Sequence, residues 1–136
     1  MFPLRDENPT FGASLVTFVI IGINALVWIF IQGLGSGFPL AASICEYGLI
    51  PAELLGTALP GTKVPLGGGL ACVLASNASL WSVVTSMFMH GGWFHLIGNM
   101  WFLALFGDNV EDAMGRTRFL LFYLLCGAAA AGLQVL

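Results

Sequence analysis

The chain has 136 residues, 58% of them hydrophobic and 8% charged, with a formal net charge of −3. Soluble domains carry roughly 25% charged residues, so this composition excludes an ordinary water-soluble domain and points to a membrane protein of one domain's length.

The charges sit in three places: Arg5, Asp6 and Glu7; Glu46, Glu53 and Lys63; and Asp108, Glu111, Asp112, Arg116 and Arg118. Between them, residues 8–45, 64–107 and 119–136 carry none. Each run can supply one membrane-spanning helix, which needs roughly 20 mainly apolar residues to cross about 30 Å of hydrocarbon.

The first span is expected at about 12–32, "GASLVTFVIIGINALVWIFIQ". Its apolar run exceeds the ~7–15 residues of a signal-peptide core, and its leading end is not basic, so it reads as a retained helix. Residues 33–86 then form a first loop, too long for a plain connection and too apolar for disorder. Pro51 opens a short helical turn in "IPAELLGTAL", with Glu53 near its positive end. "ALPGTKVPLGGGL" reads as turns. "LWSVVTSMFMH" reads as an amphipathic helical piece with Leu80, Val83, Val84, Met87 and Phe88 on one face. So apolar a loop is expected to associate with the outer leaflet.

The second span is expected at about 93–110 and the third at about 118–136, joined by a charged loop over 108–117. Gly98, Gly107 and Gly115 read as packing or turn residues, as small residues let helix backbones approach in lipid. Asp108 and Asp112 read as solvated loop residues. Three alternating spans put Arg5, Arg116 and Arg118 on one side and Lys63 on the other, which predicts a cytoplasmic N-terminus. Cys45 and Cys72 then share an oxidising side, where a disulfide is permitted. Two unpaired small apolar residues is the favoured reading, and Cys126 lies in the third span. No Cys/His spacing suggests a metal site.

The polar exception is "MFMHGGWFHLIGNM", residues 87–100, with His90, His95 and Asn99 among apolar neighbours. His95 and Asn99 are four apart, on one helical face about a turn from each other, and His90 falls at the helix mouth before Gly91 and Gly92. Such groups can serve as interhelical hydrogen-bonding glue. They can also serve catalysis, because imidazole and amide N–H donors one turn apart can converge on a developing oxyanion. A third strong metal ligand is missing.

The stretch "WSVVTSMFMHGGWFHLIGNMWFLALFGDNVEDAMGRTRFLLFYLLCG" resembles the segment leading into the second and third transmembrane helices of rhomboid family intramembrane serine proteases. The resembling residues are His90, Gly92-Trp93, His95-Leu96, Asn99-Met100, Phe106-Gly107-Asp108, Val110-Glu111 and Gly115. "YGLIPAELL" also resembles the first loop of bacterial members. One departure is Ser82 after Trp81, where many members carry arginine.

The resemblance implies an all-α polytopic membrane protein, with residues 1–136 forming the N-terminal part of a six-helix rhomboid fold. It implies peptide-bond hydrolysis in transmembrane substrates in the bacterial inner membrane, without metal or organic cofactor and without a nucleic-acid partner. The expected partners are those substrates, the bilayer and the remaining helices of the same domain. His95 and Asn99 match positions that help form the oxyanion hole, His90 a supporting histidine, and Glu111 a position expected to anchor its helix end by hydrogen bonds. The family's serine lies in a GxSG motif on a fourth helix and its base on a sixth. Neither is found in this sequence, whose nearest approach is Ser36 in "GLGSG", with Leu34 in place of the first glycine. The chain by itself is therefore expected to be inactive. The competing class is a rhomboid-like protein without protease activity that binds membrane clients. A small helical transporter or assembly subunit is a third, weaker option that leaves the histidine spacing unexplained.

Overall fold

A computed structural model describes residues 12–75 and 79–136. Arg5, Asp6 and Glu7, on which part of the orientation expectation rests, lie outside the described residues. Helix α1, Leu15–Leu26, continues through a π-helical turn, Val27–Ile31, into a 3₁₀ turn at Gly33–Gly35. Thr17, Ile20, Asn24, Trp28 and Gln32 are buried. Their spacing of three or four traces one stripe along the helix. Three members of that inward stripe are polar, while Phe18, Leu26 and Phe30 face outward. This inverts the arrangement of a helix in water.

Helix α2, Gly37–Tyr47, and the single turn α3, Pro51–Leu54, begin the first loop. Pro51 takes the first helical position, and the Glu53 carboxylate reaches out to accept the Ala75 backbone N–H at 2.7 Å. The reading of "ALPGTKVPLGGGL" as turns alone fails next. Strands β1, Lys63–Gly67, and β2, Leu70–Val73, pair as an antiparallel hairpin. Gly68 and Gly69 turn it at φ 60° and 79°, values suited to a two-residue hairpin turn. Mostly helical remains the correct description of the chain.

The favoured reading of unpaired cysteines also fails. Cys45 on α2 and Cys72 on β2 form a disulfide, their Cα atoms 5.4 Å apart. The hairpin lays β2 against α2 and so brings together two residues 27 apart in sequence. Helix α4, Trp81–Thr85, then passes into a 3₁₀ turn at Ser86–Phe88, so the amphipathic piece is two short segments.

Helix α5 runs from Trp93 to Met114 and α6 from Arg116 to Val135. The expected loop over 108–117 is thus almost entirely helical. No breaker occurs until Gly115, whose φ of 81° turns the chain between the two helices. Helix α1 packs on α5 and α6, α5 on α6, and α4 on α6. A Cβ on Gly107 would stand 2.9 Å from Thr17 Cγ2, and one on Gly127 would stand 2.5 Å from Met87 Sδ. These two glycines set the closeness of α1 to α5 and of the first loop to α6. Gly98, expected to pack, has open space beside it.

Glu111 locks the far end of this bundle. Its carboxylate accepts the Val16 N–H at 3.0 Å and the Thr17 N–H and hydroxyl at 2.8 Å each, satisfying the first amides of α1. Arg116 Nε lies 3.9 Å away. Burial by itself would raise the Glu111 pKa, but the Thr17 and Val16 hydrogen bonds and Arg116 together hold it below its ordinary value. Among the described residues, α6 alone is long and apolar enough to cross a bilayer by length and composition, and Leu15–Ile31 is apolar but shorter.

Candidate functional site

The polar groups of residues 87–100 meet those of α1 at the opposite end of the bundle from Glu111. Gln32, fully buried, donates from Nε2 to the His90 carbonyl at 2.7 Å and accepts the His90 N–H on Oε1 at 3.0 Å. This reciprocal pair satisfies both backbone groups of His90 and fixes the turn that feeds α5. Trp28 reinforces it by an edge-to-face contact with Trp93, ring centroids 5.2 Å apart.

His90 is 3% exposed, and its ring meets that of His95 edge-on at 5.2 Å. Burial first, and the neighbouring His95 second, push its pKa below 6.5 against an opposing pull from the Phe88 carbonyl. The imidazole is therefore neutral at pH 7, with one nitrogen a donor and the other an acceptor.

His90 stands between two cavities. The inner one, about 260 Å³, is lined by Asn24, Met87, Asn99, Met100, Leu103 and Tyr123 together with His90. The outer one, about 350 Å³, includes Leu49, Ser86, Met89, Gly91, His95 and Gln134 along with the same imidazole. Both His95 and Asn99 are exposed on α5, a turn apart. The three residues singled out in the sequence thus lie near one another, His90 against the His95 ring and beside Asn99 on one cavity. Among the described residues no group of three His, Cys, Asp or Glu gathers to hold a metal. Ser36 lies apart, in the turn before α2, its hydroxyl donating to the Gly33 carbonyl at 2.7 Å.

Asn24, Gln32 and Tyr123 escaped the sequence reading. Asn24 and Gln32 did leave a signal, as polar residues about two turns apart in an otherwise apolar first span, at a depth where polar groups are functional candidates. Tyr123 left none, because an aromatic residue in an apolar helix is ordinary.

The fold and site define a mostly helical protein in which Thr17, Asn24, Gln32, His90 and Glu111 are buried while large apolar side chains such as Phe18, Phe30 and Phe94 face out. Residues 77–136 match the family described as the Rhomboid domain. RHOMBOID-like protein 6, mitochondrial, of Arabidopsis thaliana is 36% identical over 56 residues, 41% of this chain and 18% of the relative. Inactive RHOMBOID-like protein 8 of the same plant is 34% identical over 70 residues, 51% of this chain and 20% of the relative. The chain spans about a fifth of the length of these curated relatives. No solved structure matches it significantly.

Proposed function

We propose that this chain forms the oxyanion-binding side of a rhomboid-type intramembrane serine endopeptidase. The observation that carries the reading is that His95 and Asn99 are exposed one turn apart on α5, next to a buried neutral His90. In this reading α1, α5 and α6 all span the membrane, with the N-terminus in the cytoplasm. The outward apolar face of α1 and its inward Thr17, Asn24 and Gln32 suit lipid as the surrounding solvent.

A serine elsewhere in the protein attacks the carbonyl of a peptide bond in or beside a substrate's transmembrane segment. As the carbonyl oxygen becomes an oxyanion, an imidazole N–H of His95 and the Asn99 Nδ2 amide donate to it, and both donors are in place before the charge appears. His90 supports His95 through their ring contact. The substrates are therefore transmembrane proteins, and no cofactor takes part.

The test is cleavage of a single-span substrate by the full-length protein in proteoliposomes. Loss of one oxyanion donor costs about 10²- to 10³-fold in turnover, so His95→Ala and Asn99→Ala should each fall by that amount with folding intact. Full turnover in a well-folded double variant would refute the assignment.

A second reading is supported by one relative, whose name marks it as inactive. Under it the same scaffold binds membrane clients without cutting them. A well-folded wild-type protein that binds single-span substrates and cleaves none would establish that reading instead.

A further inference from the structure

The inner cavity holds a feature that the proposed activity does not use. Asn24 is fully buried, and its Nδ2 donates to the Ile20 carbonyl at 2.8 Å within its own helix. Its Oδ1 is buried and has no direct hydrogen-bond partner among the described residues. The same is true of His90 Nδ1 across the cavity. Both residues line the same half-open cavity, and their buried polar atoms require partners, because a buried polar atom without one is costly.

The cavity wall completes the pattern. The Tyr123 hydroxyl, which interacts with the Asn24 side chain, and Asn99 also border it. A buried water typically makes about three hydrogen bonds and requires roughly 10–15 Å³ of free volume, far less than this cavity provides. An empty cavity would be expected to have wholly apolar walls, whereas here Asn24, His90, Asn99 and Tyr123 stand among Met87, Met100 and Leu103.

We propose that the cavity is a water site and that Asn24 is a positioning residue for His90. A water held there donates one proton to Asn24 Oδ1 and the other to His90 Nδ1, and it accepts from the Asn99 amide or the Tyr123 hydroxyl. Nδ1 is then an acceptor, so the ring proton of neutral His90 is on Nε2. The first transmembrane helix thereby selects the tautomer of a histidine on the far side of the cavity. The inference does not depend on the protease reading, since it concerns only the hydration and tautomer of His90.

The test is solid-state NMR of the full-length protein in lipid bilayers, with ¹⁵N-labelled histidine and the His90 signals assigned by their loss in His90→Asn. In the wild type, water-edited magnetisation transfer should reach His90 Nδ1, and the shifts should report the Nε2–H tautomer. Asn24→Val, which keeps the size but removes the acceptor, should lose the tautomer preference and give mixed shifts. Asn24→Ser, which restores an acceptor and leaves room for one more water, should recover it. A folded Asn24→Val with wild-type shifts would overturn the proposal. So would a wild type with no water transfer to Nδ1 or with its proton on Nδ1, and these two results decide the matter even if the valine variant does not fold.

Discussion

The Glu111 carboxylate on α5 accepts both the backbone N–H and the hydroxyl of Thr17, at 2.8 Å each, although the two residues lie 94 apart in sequence. One buried side chain thereby caps α1 and pins the end of α5. Glu111→Ala removes these bonds and leaves the Val16 and Thr17 amides unpartnered. With hydrogen bonds to a charged group at about 1.5–3 kcal/mol, a loss of about 2–4 kcal/mol is expected in denaturant unfolding of the detergent-solubilised protein. The pH dependence has a definite sign. The folded pKa lies below the ordinary 4.5, so the stabilisation is fully present above 4.5 and is lost as the pH falls through the depressed folded value. Glu111→Gln should flatten that acid limb.

Gln32→Met should keep the volume near the π-helical turn while stripping both hydrogen bonds from the His90 backbone. A buried N–H and a buried C=O are then unpaired, at about 1–3 kcal/mol each. The expected result is destabilisation of about 2–4 kcal/mol in the same unfolding assay, with faster amide exchange at His90. Gln32→Leu should behave alike, since neither side chain replaces the amide.

Cys45 and Cys72 close a loop of 27 residues. The chain-entropy relation assigns about 3.5 kcal/mol to a cross-link of that span. Reduction should lower the thermal midpoint and expose two thiols to maleimide beyond Cys126, which is already exposed. Cys72→Ser should reproduce the reduced midpoint and make it insensitive to added reductant.

Gly107→Val would drive a branched side chain into Thr17, whose Cγ2 would lie 2.9 Å from the new Cβ. Overpacking of this kind costs about 1–3 kcal/mol. Because Thr17 also holds Glu111, this variant and Glu111→Ala should be non-additive in a double-mutant cycle. Strict additivity would show that the α1–α5 contact and the carboxylate cap act separately.

Much of this organisation is legible in the sequence because it rests on local rules. Long uncharged runs broken by clusters of acids and bases set the expectation of a membrane protein, and a four-residue spacing puts His95 and Asn99 on one face of any helix. Pro51 and Gly115 mark where helical segments begin and end. These features are set by backbone geometry and solvent preference and need no knowledge of the neighbours.

Only the tertiary structure decided what those residues meet. The hairpin was hidden because a short Gly-rich stretch satisfies turn rules and strand rules alike until β2 finds α2, and the Cys45–Cys72 disulfide depends on that docking. The charged stretch after Gly107 reads as a loop from its solubility, yet it is helical up to the break at Gly115, and Glu111 turns inward from it to satisfy α1. Asn24 and Gln32 look like isolated polar residues in an apolar span. Packing alone sets Gln32 against the backbone of His90 and Asn24 across a shared cavity from its ring, since partners so far apart in sequence are chosen by the fold and not by local propensity.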